Sequence, residues 1–112
     1  MIKFKHIWIE LYMTNIYWVR CSWNEYAKLI KNEFDEDVTY KEPGGRFEVY
    51  TKKDNDICVI WIPMKASYDV VAHEVFHCSY WILQQIGMRL TNASEESYAY
   101  LIQYILKQMK IK

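Results

Sequence analysis

The sequence predicts an α+β fold, because segments typical of β-strands dominate its first half and helical periodicity dominates its second half. Hydrophobic residues make up 52% of the 112 residues, which is enough material for one core. No repeat, linker or low-complexity segment divides the chain. We therefore expect a single domain over residues 1–112, with a short N-terminal β-sheet and one helix, followed by two long helices.

The first 37 residues are expected to form two strands and a helix. Residues 2–13 and 16–21 are apolar and rich in residues that favour strands. Ser22 and Glu25 have the spacing of a capping box, which predicts the start of a helix. The acidic stretch 35–37 is expected to end that helix.

A β-hairpin is expected next, after the strong turn signal Pro43-Gly44-Gly45. Its strands are Phe47–Tyr50 and Ile57–Ile62, and residues 52–56 form a polar tip that predicts a longer loop. The second strand is apolar throughout. It fits either an edge strand that could align an extended peptide or an interior strand, and the sequence leaves both open.

Two helices are predicted to complete the chain. Ser67 or Asp69 can cap the first, which runs to about Gln85, and Gly87 stands where a C-terminal glycine belongs. The second covers roughly residues 94–109.

Charge and cysteine content exclude several classes of function. The 14 basic and 14 acidic residues give no net charge, which argues against a nucleic-acid-binding face. The chain has no segment of membrane-spanning length and no signal-peptide pattern, so we expect a cytoplasmic protein without membrane contact.

Cys21, Cys58 and Cys78 are odd in number and irregularly spaced, which argues against a disulfide framework. Several dispersed lysines are expected to be solvated: Lys3, Lys5, Lys52, Lys53, Lys107, Lys110 and Lys112.

The segment His73-Glu74-Val75-Phe76-His77 has the HExxH pattern and lies within the first long helix. Side chains four positions apart share one helical face, so both imidazoles can reach a single zinc ion. Glu74 would lie beside the open coordination position, where it could accept a proton from an attacking water. We therefore predict His73 and His77 as zinc ligands and Glu74 as a catalytic base.

A third zinc ligand is expected from Glu95 or Glu96, at the start of the last helix. The apolar stripe of that helix lies nearer Glu95. If Asn92 is the N-cap, however, Glu95 occupies the third helical position, where a capping glutamate folds back onto the backbone. Glu96 shares a face with Ala99, whose small side chain would permit close helix packing. We favour Glu96, and either carboxylate could instead only stabilise the helix N-terminus.

Three segments of the second half carry a resemblance to a known family. They are Val71-Ala72-His73-Glu74-Val75-Phe76-His77, Ile86-Gly87, and Glu95-Glu96-Ser97-Tyr98-Ala99-Tyr100-Leu101. In this part the chain resembles small, mostly uncharacterised phage proteins of the zincin type, with a minimal gluzincin-like metallopeptidase fold. The resemblance implies zinc as cofactor, His73, His77 and Glu96 as its ligands, and Glu74 as the base. A phage protein of this kind would work in the host bacterial cytoplasm.

The chain also departs from larger zincins. It has no third histidine after His77, and few residues remain to form substrate subsites. A donor that stabilises the oxyanion could be Tyr68, Tyr100 or His6, although any one tyrosine is more often a packing residue.

Two functions from different classes follow. The first is a zinc-dependent metallopeptidase or related hydrolase, whose partner is a peptide or protein substrate. The second is a non-catalytic zinc-containing phage protein that binds a host protein through exposed aromatic residues. A metal-free α+β domain is the remaining alternative.

Overall fold

A computed structural model describes residues 2–38 and 41–111 of the protein. It contains one four-stranded sheet and three α-helices, which confirms the α+β prediction. The strands are β1 (Lys5–Ile9), β2 (Thr14–Arg20), β3 (Arg46–Lys52) and β4 (Asn55–Ile62), and the helices are α1 (Trp23–Phe34), α2 (Tyr68–Gln85) and α3 (Glu95–Met109). A short 3-10 turn, Glu10–Tyr12, separates β1 from β2.

The sheet is mixed, with the strand order β1-β2-β4-β3. The pairs β1/β2 and β3/β4 are antiparallel, whereas β2 and β4 run parallel. A parallel pair needs a crossover connection, and α1 lies in the segment that joins β2 to the second hairpin. Strand β4 is therefore interior, which decides between the two alternatives for Ile57–Ile62, and β3 is the edge strand beside it.

The hairpin between β3 and β4 is tighter than the sequence suggested. Lys52 pairs with Asn55, so only Lys53 and Asp54 form the turn, and the predicted longer loop is wrong. Both turn residues have positive φ, 51° and 67°, which matches the twist that two-residue hairpin turns require. The Asn55 side-chain amide donates a hydrogen bond of 3.2 Å to the Lys53 carbonyl and helps to hold this turn.

Strand β4 is buried on both faces of the sheet. Val59 and Trp61 pack in a cluster with Tyr26 of α1. The side chain of Ile60, between them in sequence, points to the opposite face of the sheet. It packs in the other cluster, which includes Val75 of α2. Helices thus cover both faces, and this explains why Ile57–Ile62 of β4 is apolar throughout instead of alternating with polar residues.

The start of α2 is fixed by a side chain from β2. Arg20 donates from Nε to the Met64 carbonyl at 3.1 Å and from Nη2 to the Ala66 carbonyl at 3.0 Å. Both carbonyls lie in the connection between β4 and α2. These hydrogen bonds hold the segment from which α2 begins. Of the two candidates for its N-cap, Ser67 and Asp69, Ser67 occupies the position, although its side chain makes no capping hydrogen bond.

The connection from α2 to α3 confirms one sequence expectation and corrects another. Gly87 adopts a φ of 77° directly after α2, and its N–H bonds the Gln84 carbonyl at 3.0 Å, as expected for a C-terminal glycine. Helix α3 begins at Glu95 with Ser94 as its N-cap. Asn92 is therefore not the N-cap, and Glu95 occupies the first helical position instead of the third.

The structure also shows the state of the three cysteines and the character of the helices. Cys21, Cys58 and Cys78 are all buried and free. None of the helices within residues 2–38 and 41–111 combines the length and apolar character needed to cross a bilayer.

We predict that Ser22→Ala lowers the free energy of unfolding by about 1 kcal/mol. Its hydroxyl accepts the Glu25 N–H at 3.1 Å, while the Glu25 side chain accepts the Ser22 N–H at 3.0 Å, so the capping box predicted from sequence is formed. Ser67→Ala is the control, because the Ser67 side chain caps no N–H of α2. Equal destabilisation of both variants in urea denaturation would contradict this role of Ser22.

Candidate metal centre

The HExxH segment lies in the first half of α2, and its three key side chains point in two directions. His73 and His77 are exposed to solvent. Glu74 is only 7% exposed, because one helical position turns it about 100° toward the protein. The two imidazoles therefore face solvent, and the carboxylate between them in sequence belongs to the buried side of the helix.

The two imidazole rings converge at their Nε2 atoms. These atoms are 3.1 Å apart, and the ring planes are inclined by 76° with their centroids 4.7 Å apart. Two nitrogens bound to one tetrahedral zinc ion are about 3.4 Å apart, given a Zn–N distance near 2.1 Å. His73 and His77 thus fit two ligand positions of one zinc ion with little change in geometry.

Glu74 is covered by the loop that leads into β3. A β-carbon built on Gly45 would lie 3.0 Å from Glu74 Oε2 and 2.8 Å from Val70 Cγ1. Only a residue without a side chain permits the backbone to approach α2 so closely. Gly45 therefore does more than contribute to a turn signal, since its backbone lies directly against Glu74.

A cleft of about 340 Å³ opens between this loop and α2. Gly44 and Gly45 line one side, and residues of the first turns of α2 line the other: Asp69, Val70, His73 and Glu74. The cleft thus contains one of the two imidazoles and the buried carboxylate. It lies next to edge strand β3, which starts at Arg46.

Burial raises the pKa of Glu74, and the positive charges that His73 and His77 can carry oppose this effect. Within residues 2–38 and 41–111, the Glu74 carboxylate forms no salt bridge. A carboxylate with a raised pKa is a stronger proton acceptor than an exposed one, as a general base requires.

The structure does not bring a third metal ligand to the two histidines. Among the described residues, no group of three or more His, Cys, Asp and Glu side chains is arranged to hold a metal ion. Glu95 and Glu96 are both exposed in the first turn of α3.

The start of α3 lies beside a later part of α2. Tyr98 contacts Tyr80, with ring centroids 6.2 Å apart, and its hydroxyl accepts a hydrogen bond from Gln84 at 3.0 Å. These α2 residues follow His77 by about one and two helical turns. Tyr98, in the second turn of α3, therefore packs beside the part of α2 that follows the histidines.

Both residue-based reasons for preferring Glu96 over Glu95 are wrong. Asn92 is not the N-cap, so a capping role at the third position does not occupy Glu95. Ala99 is exposed and does not form the packing surface of α3. The assignment of Glu96 now depends on the family resemblance alone.

Sequence reasoning missed four residues of the cleft, which are Gly44, Gly45, Asp69 and Val70. Asp69 precedes His73 by four positions, so it continues the helical row of His73 and His77, and this spacing could have identified it. Its side chain bonds the Ser67 hydroxyl, which lowers the pKa of the Asp69 carboxyl. The contact of Gly45 with Glu74 has no signal in sequence beyond the turn pattern.

The candidate oxyanion donors are spread over the molecule. Tyr68 is the first residue of α2 and precedes the cleft residue Asp69. Tyr100 lines a separate groove on α3. The His6 ring, on β1, stacks on the Tyr17 ring with the ring centroids 4.0 Å apart. Strand β1 lies at the opposite edge of the sheet from β3. Tyr68 is therefore the candidate closest to the cleft along the chain.

Cys78 follows His77 but belongs to the core. It is fully buried, as expected for a small apolar residue, and its pKa is raised by burial and by Cys58. A neutral thiol facing the core does not compete with the imidazoles for a metal.

Comparisons with protein-family models, with curated proteins and with solved structures found no match to this chain. The resemblance to zincin-type phage proteins therefore stays a prediction based on the motif residues.

We predict that Gly45→Ala lowers the free energy of unfolding by about 1–3 kcal/mol, because the new methyl group overlaps Val70 and Glu74. Val70 cannot easily move aside, since a β-branched side chain in a helix has one preferred rotamer. Gly44→Ala is the matched control, because a β-carbon there meets no atom within 4 Å. If the two variants were equally stable in urea denaturation, the close steric contact between Gly45 and α2 would be contradicted.

We also predict that Glu74→Gln stabilises the metal-free protein at neutral pH. The folded-state pKa of Glu74 is raised, so the unfolded chain loses this proton first as the pH rises above about 4.5. Wild-type stability therefore falls with pH through the window above that value, up to the folded-state pKa. The Glu74→Gln variant has no ionisable group at this position and escapes this loss.

Urea denaturation in EDTA between about pH 4 and pH 8 measures the effect, with the exposed Glu36→Gln as a control. The stability of Glu74→Gln relative to wild type should increase with pH and then level off. A difference that is constant or decreases with pH would contradict the burial of Glu74.

Proposed function

We propose that this protein is a small zinc-dependent hydrolase, and specifically a peptidase, in which Glu74 is the general base. The observation that carries this proposal is the convergence of two exposed imidazoles beside a buried carboxylate at the wall of a cleft. Each part has a role in hydrolysis. The imidazoles can hold a metal, and the carboxylate can move a proton.

Zinc is the cofactor that the donor set suits best. Neutral imidazole nitrogens are preferred zinc ligands, and the Nε2 separation of His73 and His77 is close to that expected for a shared ion. Glu96 is our first candidate for the third ligand, with Glu95 as the alternative. Either would have to come closer to the histidines to complete a three-ligand site, so we expect zinc binding to shift the start of α3 toward them.

The chemistry divides between the metal and the protein. Bound zinc would polarise a substrate carbonyl and acidify a water molecule. Glu74 would accept a proton from the attacking water and deliver it to the leaving amine. Its burial behind Gly45 supports this role, because burial raises the pKa of the Glu74 carboxyl and so makes the carboxylate a better proton acceptor.

An extended peptide segment is the substrate that the surroundings fit. Within the described residues, β3 pairs only with β4, so its outer edge can accept a further strand. The Gly44-Gly45 loop connects this edge to the cleft, and its two glycines have no side chains that would block a bound peptide. The role that the sequence left open for Ile57–Ile62, alignment of a peptide, therefore belongs in this proposal to Arg46–Lys52.

A zinc-containing protein that binds a host protein is the second candidate. It is favoured by an exposed aromatic pair beside the histidines. Phe76 and Tyr80 are 39% and 44% exposed, and the Phe76 ring lies 6.1 Å from both the His77 and Tyr80 rings. Exposed aromatic side chains of this kind are typical of interface hot spots.

Zinc titration and peptide cleavage together test the proposal. We expect one zinc ion per chain, and we expect His77→Gln to weaken zinc binding by more than the roughly 10–100-fold that loss of an outer-sphere partner costs. His6→Gln is the control, because it removes the third histidine of the chain at a distance from the cleft. Glu74→Gln should keep its zinc and lose about 100-fold or more in turnover of a peptide library.

The same variants distinguish the alternatives. Zinc binding without cleavage by the wild-type protein would favour the host-binding function over the hydrolase. Equal zinc affinity of the wild type and His77→Gln would contradict both. A separate comparison of Glu95→Gln and Glu96→Gln identifies the third ligand, since only one of them should weaken zinc binding.

A further inference from the structure

A second cleft lies where the two ends of the chain meet, away from the HExxH helix. It has a volume of about 430 Å³ and is lined by residues of the N-terminal segment, of β2 and of the end of α3. Its basic side chains come from distant parts of the sequence. They are Lys3, Lys5, Arg20 and Lys110.

The four cations share this cleft, and no acidic side chain in the part of the chain that the structure describes forms an ion pair with them. None of the described residues that line the cleft is acidic. The chain as a whole carries no net charge, so this accumulation is local. Lys3, Lys5 and Lys110 are exposed, as expected for solvated lysines, and the fold also brings them to one cleft. Lys112, part of the same expectation, lies outside the described residues.

Two of the cations are held in place by the fold. The Lys5 ammonium lies 4.9 Å from the centre of the Trp18 ring, in a cation–π contact. Arg20 is fixed by its hydrogen bonds to the Met64 and Ala66 carbonyls, which use only part of its five N–H donors. Preorganised donors bind an anion more tightly than mobile ones, because less side-chain entropy is lost.

The remaining wall of the cleft is apolar. Ile2, Val19, Met109 and Ile111 line it together with Trp18. A ligand that fills the cleft would therefore have an anionic part and an apolar part. The volume lies within the range of small-molecule sites.

We propose that this cleft binds a ligand through its phosphate groups. A single carboxylate would neutralise only one of the four cations, whereas a diphosphate or triphosphate carries several charges in a compact group. The apolar wall would contact the rest of the ligand. Such phosphates occur both in soluble polyphosphate compounds and in the head groups of phospholipids, and the site is independent of the zinc proposal because it shares no residue with the HExxH cleft.

Calorimetric titration of the full chain with inorganic tripolyphosphate tests the soluble source. We expect saturable binding that Lys5→Gln/Lys110→Gln weakens by about tenfold or more, since each lost bond to a charged group costs at least that order. The control is Lys28→Gln/Lys107→Gln, which removes the same charge from exposed helix positions outside the cleft. This control should bind like the wild type.

Sedimentation with phosphatidylcholine vesicles, with and without phosphatidylglycerol, tests the lipid source. Binding only to the anionic vesicles, lost in Lys5→Gln/Lys110→Gln and kept in the control, would assign the phosphate to a lipid head group. The Trp18 indole N–H resonance of the wild-type protein gives a measurement that does not depend on any variant folding. It should shift on addition of tripolyphosphate or of a soluble phospholipid.

The proposal is overturned if neither phosphate source binds, or if neither shifts the Trp18 resonance. It is also overturned if the two double variants weaken binding equally, because that result would show attraction to overall charge and not to this cleft.

Discussion

The close approach of the Gly45 backbone to α2 is the contact on which the candidate site depends. It removes Glu74 from solvent while His73 and His77, on the adjacent face of the same helix, stay exposed. The helix therefore has a buried proton acceptor beside an exposed pair of imidazoles, and the loop lies close against that acceptor because position 45 has no β-carbon.

That contact in turn requires β4 and its neighbours. Strand β4 lies between β2 and β3 and is buried on both faces, so it fixes β3, and with it the Gly44-Gly45 loop, relative to α2. Arg20 holds the connection from β4 to α2 from the other side. The sheet and the connections between its strands and α2 thus set the positions of the cleft residues. A large surrounding structure is not needed to hold these few residues in place.

Local patterns in the sequence predicted the parts of this arrangement that are decided locally. The Ser22 capping box, the Gly87 helix end and the shared face of His73 and His77 depend on residues within a few positions of one another, and each is formed as expected. The two-residue turn at Lys53 and Asp54 was missed because neither residue is glycine or asparagine, the usual signals for positive φ in such turns.

Contacts between distant segments could not be predicted in this way. The apolar run Ile57–Ile62 fits an edge or an interior strand until the parallel pairing with β2 is known. The burial of Glu74 needs a loop far from it in sequence, and the basic cleft gathers residues from both ends of the chain. The N-cap argument used to choose between Glu95 and Glu96 was wrong for a smaller reason, an N-cap at Ser94 instead of Asn92, which changes the role of every position in the first turn.

We propose above that His73 and His77 hold one zinc ion together with a carboxylate from the start of α3. X-ray absorption spectroscopy at the zinc edge of the zinc-loaded protein tests this coordination directly. We expect two imidazole nitrogens together with oxygen ligands, all at about 2.0–2.2 Å. Sulfur ligands at about 2.3 Å, or a coordination shell with fewer than two imidazoles, would contradict it.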